Sequence, residues 1–160
     1  MRYWLMKSEP EECSIDDLAK MPERRVPWFG VRNYQARNFM TRDMAVGDGV
    51  LFYHSSCPQP GIAGLARVAS AAHPDETQFD PQSPYFDPKA SRQKPRWYNV
   101  DVAFVAKTPL VGLAALRARS ELAGMRVLAR GNRLSITPVT DDEWRFILSE
   151  LLDTDPDDFQ

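Results

Sequence analysis

Gly47-Asp-Gly-Val-Leu-Phe-Tyr-His54 is the stretch on which the fold turns. The Gly-Asp-Gly triplet signals a tight turn, and Val50 to His54 is a short apolar run of strand type. Pro58, Pro60 and Gly61 break that run, and Ile62 to Ala72 reads as a second strand. The pair predicts an antiparallel hairpin with a long tip. Downstream, residues 73–96 are dense in proline and polar residues, an extended excursion of the kind that is functional or mobile in a small domain. Trp97 to Lys107 alternates as a third long strand, and Leu110 to Leu122 suits a helix or two short helical turns. Leu134 to Pro138 is a final strand. Asp141 to Leu152 is a closing helix with acids in its first turn, where the helix dipole favours them.

Upstream, Arg2 to Lys7 is an aromatic-rich strand that ends before Pro10. Ser14-Ile-Asp-Asp17 offers an N-cap with an acid three residues on, opening a short helix to Met21. Asn33 to Thr41 reads as helix, with Tyr34 and Arg37 one turn apart on one face. The count is four to six short strands with helices in the connections and no βαβ alternation. That pattern predicts an α+β chain, a mixed β-barrel with helices on its outside.

With 160 residues, 43% hydrophobic and 26% charged, the chain suits one domain that buries roughly 70% of its unfolded surface. Such a core needs neither disulfide nor metal. Cys13 and Cys57 match no metal-ligand spacing and no CxxC, and two free thiols in a reducing cytoplasm is preferred over one disulfide. Lys7 and Glu9 interrupt the apolar run of MRYWLMKSEP, which is short of the roughly 20 residues of a membrane span. The expectation is a soluble, cytoplasmic monomer with no membrane, metal or cofactor partner.

Net charge is −2, yet the eight acids and single base after residue 140 leave the first 140 residues at +5. Arg24 to Arg42 holds five arginines and no acid, and Lys89, Arg92, Lys94 and Arg96 form a second basic run. This distribution is compatible with a localised phosphate-binding face.

Catalytic signals are sparse. His54 and His73 are the imidazoles on offer, and neither belongs to an HExxH or a Cys/His cluster. His54 and Ser55 adjoin on a strand and so point to opposite faces, which argues against a nucleophile–base pair. Lys7 with a nearby acid such as Glu9 is the base that a hydrolytic reading would propose; alternation places the two on one strand face, but Glu9 beside Pro10 is expected to end the strand. Binding signals are richer. Trp28 sits among Pro27, Phe29 and Gly30 beside arginines, where its ring either stacks on a base or caps the barrel. Arg32 and Arg37 could hold phosphate or stack, and Asn33 and Gln35 carry the amides that pair with base edges. Alternation predicts that one of Phe52 and Tyr53 faces outward or into a pocket.

Three stretches resemble the EVE-domain family: Tyr3-Trp-Leu-Met-Lys-Ser-Glu-Pro10, Trp28-Phe-Gly-Val-Arg-Asn-Tyr-Gln-Ala-Arg-Asn38 and Gly47 to Ser55. Gly61-Ile-Ala-Gly64, His73-Pro-Asp75, Trp97 and Leu134-Ser-Ile-Thr-Pro-Val139 continue the match in order. The resemblance implies a PUA-like mixed β-barrel of five to six strands, related to the YTH readers of methylated adenine in RNA. It sets residues 1–152 as one domain; residues 153–160, an acidic C-terminal extension, fall outside the family pattern and are expected to lie away from the nucleic acid. It also implies a non-catalytic module that binds DNA or RNA and recognises an extruded modified base, with modified cytosine in DNA the usual ligand. The implied pocket draws on Lys7, Ser8, Trp28, Val31, Arg32, Asn33, Arg37, Tyr53, His54, Ser55 and Trp97. Phosphate contacts are expected from Arg24, Arg25 or Arg32. A hydrolase acting on modified nucleosides, as in related ASCH barrels, and a pocket for a free nucleotide are the competing readings.

Overall fold

The computed structural model describes residues 1–159. Strand β1 (Tyr3–Ser8) runs into two short helices, α1 (Pro10–Cys13) and α2 (Ile15–Lys20). Pro10 opens α1, where its missing N–H would have no partner in any case. Ser14 and Asp17 form a reciprocal capping box at the start of α2, with bonds of 3.0 and 3.1 Å. After β2 (Arg25–Pro27), Asn33 caps α3 (Tyr34–Asn38), which widens into a π turn over Phe39–Asp43. Strands β3 (Gly49–His54) and β4 (Gly61–Val68) make the expected antiparallel hairpin. The two-residue strands β5 (His73–Pro74) and β6 (Tyr98–Asn99) pair with each other and clip the long loop between them at its base. Strand β7 (Asp101–Gly112), helix α4 (Leu113–Arg117), strand β8 (Ile136–Val139) and helix α5 (Asp141–Phe146) follow, and α5 widens into a π turn over Ile147–Leu151 before a last 3-10 turn over Pro156–Phe159.

Six strands form one sheet in the order β2-β7-β4-β3-β1-β8. All neighbours are antiparallel except β1 and β3, which run parallel from Tyr3↔Gly49 to Ser8↔His54. Register shifts in the β3–β4 and β4–β7 pairs bend the strands, so the sheet curls into a half-barrel with β2 and β8 as its free edges. This is the PUA-like mixed architecture that the resemblance implied.

Both faces of the sheet are covered. Trp4, Met6, Val50 and Phe52 pack on one side with α2, α3 and Trp28. Leu5, Leu51, Tyr53 and Leu65 pack on the other with Leu116, Leu122, Trp144 and Leu148. Double coverage explains why Val50 to Tyr53 is an unbroken apolar run, as in strands buried on both faces. It also corrects the expectation that Phe52 or Tyr53 faces outward: they point to opposite sides and both are buried.

Two further expectations shift. Trp97 precedes the strands, and β7 continues through Leu110 to Gly112, residues that the pattern assigned to a helix. Pro109 is tolerated because the β4 pairing skips from Lys107 to Val111 around it. The long loop is pinned by buried Gln78, whose amide donates to the Asp75 and Trp97 carbonyls and accepts from the Arg96 and Trp97 N–H groups. The acidic tail folds back on the body: the buried Phe159 ring packs edge-on to Trp144 at 4.9 Å, under the Arg67 guanidinium at 4.3 Å. Among the described residues, no helix is long and apolar enough to cross a membrane.

Candidate functional site

The parallel pair delivers two strand ends to one place. The Ser55 N–H donates to the Ser8 carbonyl at 3.0 Å, and the Lys7 N–H donates to the Ser135 carbonyl of the segment entering β8 at 2.8 Å. Beyond these ends lies a cleft of about 370 Å³, where the carboxyl ends of parallel strands commonly hold ligands. Lys7, Ser8, Ser55, Ser56, Arg133 and Ser135 form one side, Pro27 to Arg32 and Tyr85 form another, and Glu12 and Cys13 of α1 close the rim.

Trp28 belongs to the core and borders the cleft. Its N–H donates to the Val100 carbonyl at 2.8 Å, and its ring stands edge-on to Phe52 at 5.5 Å. It is thus part of the core, while the 7% of its surface left exposed belongs to the cleft wall.

The wall that carries Trp28 is held by one buried carboxylate. Asp75 Oδ2 accepts from the Gly30 N–H at 2.8 Å and from Arg32 Nη1 at 3.0 Å. Its Oδ1 accepts from the Thr77 N–H at 2.8 Å and the Thr77 hydroxyl at 2.5 Å. Burial alone would raise the Asp75 pKa, but these bonds outweigh it and hold the group below the usual carboxylate range. Arg32 also donates to the Tyr85 carbonyl, at 2.7 Å from Nη2. The Tyr85 hydroxyl donates to Glu12 at 2.6 Å, and this bond to a carboxylate, with burial, pushes its pKa up to about 12. Gly30 is required where it stands: φ is +84°, and a Cβ would lie 2.8 Å from the Tyr85 ring.

Polar groups face this wall from the strand ends. Lys7 is half-buried, burial lowers its pKa, and its ammonium has no ion-pair partner among the described residues. The Ser8 hydroxyl donates to the Cys13 carbonyl at 2.6 Å. Both cysteines are free thiols, and burial pushes the Cys13 pKa up, so the thiolate is disfavoured. Among the described residues, no group of three or more His, Cys, Asp or Glu could hold a metal ion.

Of the residues singled out in the sequence, Lys7, Ser8, Trp28, Val31, Arg32 and Ser55 line the cleft. Five do not, each for a local reason. Tyr53 points to the far face of the sheet. His54 Nε2 accepts the Ile15 N–H at 3.1 Å, tying strand β3 to α2, and burial lowers its pKa. Asn33 spends its side-chain oxygen on the Ala36 N–H as the α3 cap. Arg37 donates to the Arg96 carbonyl at 2.9 Å and lies over the Tyr34 ring at 4.6 Å. Trp97 stacks on Tyr34 at 4.9 Å and donates its indole N–H to Asp87. Arg37, Tyr34 and Trp97 therefore brace the long loop behind the cleft. Glu12, Tyr85, Arg133 and Ser135 were not anticipated. Only the acid-free, arginine-bearing run before Asp141 carried a signal for any of them, at Arg133.

The EVE domain model matches residues 2–150 of the chain. The human thymocyte nuclear protein 1 is 43% identical over 92% of this chain and 72% of its own length. A solved structure of human THYN1 in complex with 5-methylcytosine-containing DNA superposes with a TM-score of 0.89 at 42% identity, covering 98% of this chain and all of that one. A hypothetical protein from Leishmania major superposes at 0.88 with 51% identity, over 93% of each chain.

Proposed function

The chain belongs to the EVE domain family, and on that premise we propose that it binds nucleic acid and holds one extruded, modified base in the cleft beside Trp28, without chemistry. Modified cytosine in DNA is the first ligand to consider, because a protein 42% identical over nearly the whole chain was solved with 5-methylcytosine-containing DNA. The observation that carries the reading is the cleft of about 370 Å³, whose lining combines the exposed edge of Trp28 with Lys7 and the strand-end serines. Extruding a base costs a few kcal/mol. Stacking on an aromatic ring returns about 1–3 kcal/mol of that.

A non-catalytic role is supported by the engagement of the candidate bases. His54 has given its lone pair to the Ile15 N–H. Glu9 lines the cleft with Lys7 but is exposed, and no ion pair joins the two among the described residues. One buried methyl is worth about 0.8 kcal/mol, roughly a fourfold preference. A hydroxymethyl or carboxyl substituent would gain more, through a hydrogen bond from Ser55 or Lys7. The Ser8 hydroxyl, another donor suggested by the sequence, is already given to the Cys13 carbonyl, and Asn33, whose side-chain oxygen caps α3, does not line the cleft. The reading needs only a monomer in an aqueous compartment that holds nucleic acid, the cytoplasm in a cell without a nucleus.

The test is binding to labelled single-stranded DNA and RNA carrying one unmodified, methylated, hydroxymethylated or carboxylated cytosine, or one methylated adenine. Selective binding, with the polar cytosine forms above methyl, is expected. Trp28→Phe keeps an aromatic ring in the core and should weaken every modified ligand several-fold. Equal affinity for all cytosine forms would refute base reading, and an unchanged Trp28→Phe profile would remove Trp28 from the site.

A further inference from the structure

Phosphate contacts were expected from the arginines between residues 24 and 42, but three of those five are engaged by hydrogen bonds or ion pairs within the protein. Arg25 pairs with Asp101 at 2.7 Å and Arg32 with Asp75 at 3.0 Å. Arg37 donates to the Arg96 carbonyl, and Arg24 lies over the Phe104 ring. In the second basic run, Arg92 pairs with Glu76 and Arg96 with Asp87.

The turn that leads from α4 into β8 is different. Between Glu121 and Asp141 there is no acid, and Arg126, Arg130 and Arg133 lie there, all exposed and without ion pairs among the described residues. The turn is built, not loose. Asn132 Nδ2 donates to the Arg126 carbonyl at 2.7 Å, and its Oδ1 accepts the Leu134 N–H at 3.2 Å. Gly131, at φ +79°, reverses the chain with open space around it. Val127 anchors the turn in the core, and Arg133 lines the cleft itself.

We infer that the arginine turn Arg126–Arg133 is the surface that holds the phosphate backbone of the strand whose base enters the cleft. The inference rests on the base-reading function proposed above. An unpaired guanidinium gives up no protein partner on meeting a phosphate, whereas Arg25 or Arg32 would have to break a pair. The turn also adjoins the cleft, so a strand lying on it delivers its base directly to the Trp28 wall. Backbone contacts position the strand and carry no information about the base.

The experiment measures salt dependence with a short labelled single strand of DNA carrying one 5-methylcytosine, and with its unmodified twin. Each released counterion contributes about 0.7 to the slope of log K against log salt. The triple variant R126Q/R130Q/R133Q should lower that slope by about 2 and weaken binding on the order of 100-fold at 0.1 M salt. R126Q/R130Q, which leaves the cleft lining intact, should weaken both strands equally and keep their ratio. Lys89→Gln/Lys94→Gln serves as the control and should leave the slope unchanged. A wild-type slope in the triple variant overturns this inference while base reading stands. A wild-type protein that binds neither strand overturns both.

Discussion

Replacing Asp75 by asparagine keeps its shape and removes its charge, and the consequence can be worked through atom by atom. Each carboxylate oxygen accepts two donors: Thr77 N–H and hydroxyl on Oδ1, Gly30 N–H and Arg32 Nη1 on Oδ2. Whichever way the amide turns, its NH2 group faces two of those donors. Asp75 is fully buried and the Arg32 side chain is only 23% exposed, so water does not readily replace what is lost. Breaking one partner out of a buried pair costs about 3–5 kcal/mol, a large part of the ~5–15 kcal/mol that holds a domain together. In urea, with a slope near 2 kcal/mol per molar, the midpoint should fall by about 2 M.

Because the folded-state pKa of Asp75 is depressed, its stabilisation is fully present above the ordinary aspartate value of about 3.9. It is lost as pH falls through the lower folded value. The gap between wild type and Asp75→Asn should therefore be constant near neutrality and narrow below pH ~4. A difference under about 1 kcal/mol at pH 7, against the 3–5 expected for a broken buried pair, would refute the reasoning. So would a gap that does not close in acid.

Two neighbouring positions make independent predictions. Gly30→Ala combines a positive φ, worth about 1–2 kcal/mol, with overpacking against Tyr85, worth about 1–3 kcal/mol. Thermal unfolding should register a loss of at least 2 kcal/mol by that reckoning; an unaffected midpoint would mean that Tyr85 moves aside freely. Glu12→Gln removes the carboxylate that raises Tyr85 to about 12, so ring-carbon NMR should find the phenol titrating nearer the ordinary 10. In the wild type, the stabilisation from this raised pKa is complete below pH ~10 and lost as pH climbs to about 12. A Tyr85 titration unchanged by Glu12→Gln would show that burial alone sets it.

Local chemistry was legible wherever a few adjacent residues decide the outcome. Ser14-Ile-Asp-Asp17 specified a capping box, Gly47-Asp-Gly49 a turn, and the prolines after His54 the tip of a hairpin; all three form. The contiguous blocks around Trp4, Trp28 and Gly47 were enough to indicate the family, and through it the curled mixed sheet. Six of the eleven residues named for the pocket line the cleft because they occupy strand ends and the Trp28 loop, positions that the block order already identified.

What the tertiary structure decided depends on partners far away in sequence. The parallel pairing of β1 with β3 joins residues about 46 positions apart, and that pairing brings Ser8 and Ser55 to one rim. Coverage of both faces of the sheet sent Phe52 and Tyr53 to opposite cores; the unbroken apolar run from Val50 to Tyr53 bears the trace of that coverage, but which elements cover each face is set by packing between residues far apart in sequence. Which arginines are free was likewise invisible in the sequence. A run of five arginines between residues 24 and 42 looks like a phosphate face until Asp75 and Asp101, brought in from other strands and loops, claim two of them. Charge read along a chain counts ions; only the fold determines which of them are already paired.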